Sequence, residues 1–367
     1  MTPAEALARL RLVRTDGIGP VTFRRLLERY RTAEAALEAL PALSARRALP
    51  FRPPAPATVA HEMDEVMGMG GCFLFWGEPG YPPLLALLED PPMALAVIGD
   101  PALLASRQVA VVGARNASTL GRRLAAELSE SLAVTGLVVT SGLARGIDGA
   151  AHTGALRAGA TVAVIPGGLD RAYPPEHTEL QSIIAERGAV VAEAPLGTAP
   201  IARHFPRRNR IIAGLSLGVV VVEAALGSGT LMTANLALEA GREVFAVPGS
   251  PLDPRCAGSN DLLRQGAHLT ERASDVLEHL PEAPRAAPML RSNSTAPAAR
   301  PPGPPSDLPA DMAQLLDLVG TSPVAVDELM RGCHLSSAAV QAALLELELD
   351  GRIETLPGNR VIRSGLR

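Results

Sequence analysis

The chain of 367 residues contains no lysine, so all 34 of its basic residues are arginine. That absence excludes a Walker A phosphate loop and every Schiff-base mechanism, since both need a lysine amine. Aromatic residues are scarce, 3% against a hydrophobic content of 47%, so the cores must be built from Ala, Val, Leu and Ile. The three cysteines, Cys72, Cys256 and Cys333, lie far apart with no Cys-x-x-Cys spacing. This argues against a disulfide framework or a zinc site and fits a reducing compartment. The amino terminus, MTPAEALARLRLVR, has no apolar run of signal-peptide length, and the longest apolar stretches, such as Val219–Val222, are far too short to span a bilayer. A soluble cytoplasmic protein without membrane association is expected. Net charge is −4, so a site for a polyanion must be a local patch rather than a global field.

Four segments follow from the pattern. Residues 1–65 read as helices, PAEALARLRLVR and VTFRRLLERY, joined by Asp16-Gly17-Ile18-Gly19-Pro20. Such a turn is either a helix-hairpin-helix presenting backbone N–H groups to a phosphate or a plain helix stop. Residues 70–280 alternate short Val-rich runs with amphipathic stretches. The runs are Gln108–Gly113, Leu137–Ser141, Thr161–Pro166, Ala189–Glu193, Gly218–Glu223 and Glu243–Pro248, and the helical stretches include Leu120–Ala133 and Thr230–Ala240. Continuous, unalternated apolar runs are parallel strands buried on both faces, which gives an α/β, Rossmann-like, doubly wound parallel sheet. Cys72–Trp76 and Ala94–Ile98 are candidates for two more strands. Residues 281–306 carry eight prolines and read as an extended linker. Residues 307–367 read as helices over Met312–Val319, Val326–Met330 and Ser336–Asp350, then a hairpin of Arg352–Glu354 and Val361–Ile362, a winged-helix order. With nine carboxylates against five arginines this segment is acidic, which disfavours duplex binding and favours protein docking or dimer support.

In an open parallel sheet ligands bind beyond the carboxyl ends of the strands, so the residues there carry the functional reading. After the first regular strand comes Gly113-Ala114-Arg115-Asn116-Ala117-Ser118, with Arg115 where a dinucleotide fingerprint needs a second glycine. NAD is therefore not expected. Arg115 near a helix start offers a fork-shaped donor to a phosphate or base edge. After the second strand, Ser141 supplies a hydroxyl, Gly142 and Gly146 allow close backbone approach, Arg145 adds a charge and Asp148 can cap the next helix. The third strand ends at Gly167 and Gly168. A further loop, Arg203-His204-Phe205-Pro206-Arg207-Arg208-Asn209-Arg210, packs four arginines around one aromatic able to stack on a base. Gly227-Ser228-Gly229-Thr230 opens another helix, a general anion site. Together these loops make a groove of donors with no evident nucleophile.

The runs GARNASTLG, SGLARGIDGAAH, PGGLDRAYPPEH, HFPRRNRIIAGLS and GSGTLMTANLALEAGREVFAVPG, in this order, resemble the DprA/Smf family of DNA-processing proteins across about residues 70–280. The helical amino-terminal segment and the winged-helix-like end fit that family's architecture. The resemblance implies a single-stranded DNA-binding homodimer that loads a RecA-type recombinase in natural transformation or repair, with no cofactor and no catalytic step. It places DNA contacts on Gly113, Arg115, Ser141, Gly142, Arg145, Gly167, the Arg203–Arg210 segment, Ser228 and Thr230. Arg115, Arg207 and Arg208 are assigned to phosphates, and Phe205 to stacking or to shaping a base pocket. Asn209 and Arg210 either touch DNA or pin their segment to the following helix. Some relatives carry a lysine just before this run, where Arg203 stands in a shifted register.

The alternative comes from another class. Nucleotide phosphoribohydrolases of the lysine decarboxylase-like group share a Rossmann-like sheet and a Pro-Gly-Gly-x-Gly-Thr-x-x-Glu loop with a catalytic glutamate. The comparable stretch here, Leu226–Thr233, puts Thr233 at that position, and a hydroxyl cannot do a carboxylate's work. Glu223 and Asp148 remain as carboxylates nearby. His152 reads as packed in a helix and His177 as part of a surface loop, and no two histidines have i, i+4 metal spacing.

Overall fold

The computed structural model describes residues 1–44, 50–282, 310–320, 324–333, 335, 337–349, 352–356 and 360–363. Beyond Glu282, the expected linker at 281–306 lies outside the described residues. The chain divides into two compact units, Met1–Leu10 with Ala55–Leu290, and Arg11–Pro54 with Arg291–Arg367.

The first unit is built on one nine-stranded sheet. In chain order its elements are α4 (Pro56–Gly68), β1 (Gly71–Phe75), α5 (Pro83–Ala86), β2 (Ala94–Gly99), β3 (Gln108–Val112), α6 (Thr119–Val134), β4 (Val138–Ser141), α7 (Ile147–Ala158), β5 (Thr161–Ile165), α8 (Thr178–Arg187), β6 (Ala189–Ala192), α9 (His204–Leu215), β7 (Gly218–Val221), α10 (Gly229–Glu239), β8 (Glu243–Ala246), α11 (Ala257–Arg264), β9 (His268–Leu269) and α12 (Ala273–His279). They follow the elements α1 (Pro3–Val13), α2 (Pro20–Tyr30) and α3 (Ala33–Ser44). Strand order is β1-β2-β6-β5-β4-β3-β7-β8-β9. The run from β6 to β9 is parallel, as the continuous valine segments required. The other edge is not: β1 pairs antiparallel with β2, and β2 antiparallel with β6, so the whole sheet is mixed.

Period-2 alternation divides each valine run between two cores. Ala110 and Val112 of β3 join Val219 and Val221 of β7 beneath α9 and α10, through Ile212 and Ala234. Val109 and Val111 join Val220 beneath α6 and α7, through Leu128 and Ala151. Aromatics are almost absent from both layers, in keeping with the composition, and each buried Val or Leu contributes about 1.5–3 kcal/mol. The order of winding reverses at β3: β4, β5 and β6 are added on one side, β7 and β8 on the other, all parallel to it. That switch point opens a crevice at the carboxyl ends of β3 and β7.

In the second unit, Gly17 takes φ +83° and Pro20 is the first residue of α2, where its missing N–H costs no helix bond. Phe23, Leu26, Ala36 and Leu40 on α2 and α3 are buried. The carboxy-terminal elements are α13 (Ala310–Leu318), β10 (Val324–Ala325), α14 (Val326–Gly332), α15 (Ser337–Leu349), β11 (Ile353–Leu356) and β12 (Arg360–Arg363). Three helices and an antiparallel sheet, β10-β12-β11, enclose a core that includes Leu315, Val326, Leu329, Val340, Leu347 and Val361. The sequence pattern anticipated the helices and the hairpin but not β10. No helix among the described residues is long and apolar enough to cross a membrane.

Candidate nucleic-acid interface at the sheet switch point

The crevice holds a cleft of about 550 Å³. Its first wall is the turn after β3. Ser118 caps α6 by accepting from Gly121 N (2.8 Å), and its hydroxyl donates to Glu223 Oε1 (2.5 Å), while its own N–H donates to Glu223 Oε2 (2.9 Å). Ala114 N donates to the Glu223 carbonyl (2.7 Å), so the turn is tied to the end of β7. Gly113 lies against Ile147, where a Cβ would come within 2.5 Å of that side chain. Arg115 sits in the turn ahead of α6 rather than at its first residue, exposed, with its guanidinium carbon 4.5 Å from the Phe205 ring centroid.

The floor is the loop from β4 to α7. Leu143 adopts φ +55° and is fully buried, a left-handed conformation that a branched apolar residue holds only when its surroundings fix it. Its carbonyl accepts from His177 Nδ1 (2.9 Å), so His177 is half-buried and braces this loop rather than lying free at the surface. Asp148 lies inside α7, not at its cap, and accepts from Ala144 N (3.4 Å). The Arg208 guanidinium stands 3.9 Å from Asp148, with both side chains 6% exposed. Burial pushes the Asp148 carboxyl above its usual range, with Arg208 pulling partly back, and burial lowers Arg208. Arg208 Nε has no hydrogen-bond partner.

The segment 203–210 is not a loop. It forms the start of α9, because Pro206 falls in the first turn, where a proline is tolerated, and the residues that follow, Arg208–Leu215, are all buried. The helix then separates the arginines. Arg203 and Arg207 are exposed, whereas Phe205, Arg208 and Asn209 face the cleft. One ring face of Phe205 carries Arg115, and Tyr173 packs edge-on with centroids 5.7 Å apart. Phe205 therefore shapes the wall and holds Arg115; its Arg115-covered face is not open for stacking. Asn209 Nδ2 donates to the Gly229 carbonyl (3.3 Å), joining α9 to α10. Arg210 turns away, donating to the Asp90 carbonyl (2.7 Å) and to Glu193 (2.5 Å), so it ties α9 to the segments before β2 and after β6 rather than to the following helix.

The far wall is the start of α10. Ser228 occupies the N-cap position without capping, its buried Oγ unpartnered, and Gly229, Thr230 and Thr233 line the cleft beside it. Arg255 reaches the rim, chelated by Asp253 through bonds of 3.0 and 2.7 Å.

The structure thus gathers Gly113, Arg115, Phe205, Arg208, Asn209, Ser228 and Thr230 around one cleft. Other expected contacts lie elsewhere. Ser141 is fully buried and donates to the Val111 carbonyl (2.7 Å), so its hydroxyl serves the sheet. Gly142 lies under the Arg208 guanidinium. Arg145 is exposed but paired with Glu176. Gly167 packs against the loop beyond β6, where a Cβ would come 2.7 Å from the Thr198 carbonyl. Tyr173 and Arg255 were not anticipated as site residues: Tyr173 lies in the PGGLDRAYPPEH run but has no assigned role there, and Arg255 lies outside every run that carries the family resemblance. Among the described residues no cluster of His, Cys, Asp and Glu could hold a metal ion.

Comparison with known proteins gives a consistent answer. The family model described as DNA recombination-mediator protein A matches residues 72–281, more than half of the chain. The chain belongs to the DprA/Smf family. DprA-specific models also match residues 3–64, as a DprA-like N-terminal HHH domain, and 297–359, as the DprA winged helix domain. Protein Smf of Escherichia coli K12 is 44% identical over 283 residues, covering 77% of this chain and 74% of that protein. Protein Smf of Synechocystis is 32% identical across 95% of this chain and 96% of its own. The X-ray structure of DprA from Streptococcus pneumoniae superposes with a TM-score of 0.65 at 33% identity, over 75% of this chain and 98% of that one. A DprA structure from Helicobacter pylori, described for its single-stranded DNA binding mode, gives 0.51 at 30% identity, over 56% and 94%.

Proposed function

We propose that this DprA/Smf chain binds single-stranded DNA along the switch-point cleft and the exposed face of α9, and acts as a recombination mediator without a catalytic step. The observation that carries the reading is the arrangement of four arginines on one feature. Arg115 and Arg208 line the cleft, and Arg203 and Arg207 extend the cationic surface along the helix that forms its wall. A cationic groove can track the backbone of a single strand, and the description of the Helicobacter pylori relative supports the same ligand. In this reading the protein works as a cytoplasmic homodimer that delivers the bound strand to a RecA-type recombinase, in transformation or repair.

The hydrolase alternative has little to work with. Thr233 is buried beside Gly229, and Glu223 is committed to capping the turn through Ser118. Among the described residues Asp148 is the one carboxylate lining the cleft, and Arg208 faces it. Anisotropy with a labelled single strand and its duplex tests the proposal. Strand-selective binding supports it; equal binding of both, or of neither, contradicts it. Release of free base from nucleoside monophosphates would contradict the absence of catalysis.

A further inference from the structure

Two residues that line the cleft each keep a buried polar atom with no partner among the described residues. Arg208 Nε is one, on a side chain 6% exposed, and the Oγ of Ser228 is the other, at an N-cap position it does not use. Buried polar atoms in a folded protein are satisfied as a rule, so two orphans on residues lining one cleft point to a group that completes them. The first turn of α10, an 11-residue helix, lines the same cleft. Gly229 has open space where a side chain would be, which leaves backbone N–H groups reachable, and Thr230 adds a hydroxyl. Arg115 closes the site from the opposite wall, held by the Phe205 ring.

Charge sets the size of the ligand group. The cleft is lined by Arg115, Arg208, Arg255 and Asp148; Arg255 is already chelated by Asp253, and Asp148 offsets Arg208. What remains is one uncompensated guanidinium, the partial positive charge of a helix start, and neutral donors. That matches one phosphate group, not a tract. A terminal phosphate carries about −1.5 to −2 at pH 7, against −1 for an internal diester, so it gains more from such a site.

We propose that the cleft is a nucleotide phosphomonoester site, taking either a free nucleoside 5′-monophosphate or the 5′-phosphorylated end of a single strand. The inference rests on the reading of this groove as a nucleic-acid site but extends it from strand binding to end recognition. The phosphate sits at the start of α10 between Arg115 and Arg208, and a strand leaving the cleft meets Arg207 and Arg203.

The test uses the full chain and an oligothymidylate labelled at its 3′ end, with either a 5′-phosphate or a 5′-hydroxyl, competed with thymidine 5′-monophosphate or thymidine. The phosphorylated strand should bind about tenfold more tightly, the monophosphate should compete and thymidine should not. Saturation by the monophosphate alone identifies a free nucleotide as a sufficient ligand; a preference seen only on strands identifies the strand end. Thr230→Glu places a carboxylate in the first helical turn, which helices tolerate well, and should erase the preference without lowering the melting temperature. Equal binding of both strands with no competition by the monophosphate overturns the proposal and leaves the DNA groove standing. Saturation by the monophosphate with no strand binding sustains it and overturns the strand reading; binding of neither overturns both. A preference that survives in folded Thr230→Glu overturns the placement at α10.

Discussion

The guanidinium of Arg208 fills the space that a side chain at position 142 would need: a Cβ built on Gly142 would lie 1.6 Å from Arg208 Nη1. The Arg208 guanidinium of α9, more than sixty residues away in sequence, therefore keeps this place against the loop after β4 only while residue 142 is glycine. Gly142→Ala should displace Arg208 from beside Asp148, cost about 1–3 kcal/mol of stability and weaken strand binding as well. Thermal denaturation and anisotropy measured together check this. A variant that keeps both wild-type values would mean that Arg208 has another place to go.

Arg210 and Arg207, three positions apart, should respond in opposite ways. Arg210→Ala removes a guanidinium held by the Asp90 carbonyl and Glu193, at an expected cost of about 2 kcal/mol in urea unfolding, while the salt slope of DNA binding stays unchanged. Arg207→Ala should leave stability alone and make the log–log salt slope shallower by about 0.7.

This contrast shows where the sequence was legible and where it was not. The valine runs revealed the strands because burial on both faces leaves a continuous apolar signature, whichever strands are neighbours. The antiparallel direction of β1 and β2 has no such signature, and the two residues of β9 are too few to show one. In the sequence 203–210 reads as a loop, although a proline in the first turn, as Pro206 is, suits a helix start. With the helix in place, its first turn leaves Arg203 and Arg207 exposed, and everything from Arg208 to Leu215 is buried. Ser141 illustrates the opposite limit: nothing nearby in sequence says that its hydroxyl turns back to the Val111 carbonyl.

His152 gives the fold a dependence on acid. Thr161 donates its hydroxyl hydrogen to the Val139 carbonyl (2.6 Å), so its oxygen accepts from His152 Nδ1–H (2.7 Å), and His152 Nε2 is unpartnered in full burial. Burial, reinforced by the charges of His177 and Arg208, pulls the imidazole down to about 3. The unfolded chain binds this proton and the folded chain does not. The stability contribution is therefore complete above about pH 6.5 and is lost as pH falls toward 3, by an amount of order 2 kcal/mol at pH 5. Asp148, raised by burial, acts with the opposite sign. The readout is accordingly the difference between wild type and His152→Asn. Between pH 7 and pH 5, the wild type should lose more stability in urea titrations than the variant does.

The acidic carboxy-terminal segment is expected to contribute little to strand binding. Removal of residues 281–367 should leave the dissociation constant for a single strand within about twofold, since nine carboxylates face five arginines in residues 307–367. A loss of tenfold or more would assign DNA contacts to that domain.

The most direct test of the central claim is the salt dependence of single-strand affinity, by fluorescence anisotropy, for the wild type and an Arg115→Ala, Arg207→Ala double variant. The account predicts tight, strand-selective binding by the wild type. In the variant, binding should weaken and the log–log slope become shallower by about 1.4, two contacts at about 0.7 each. A variant that binds with wild-type affinity and slope would contradict the assignment of this cleft and the exposed face of α9 as the DNA site.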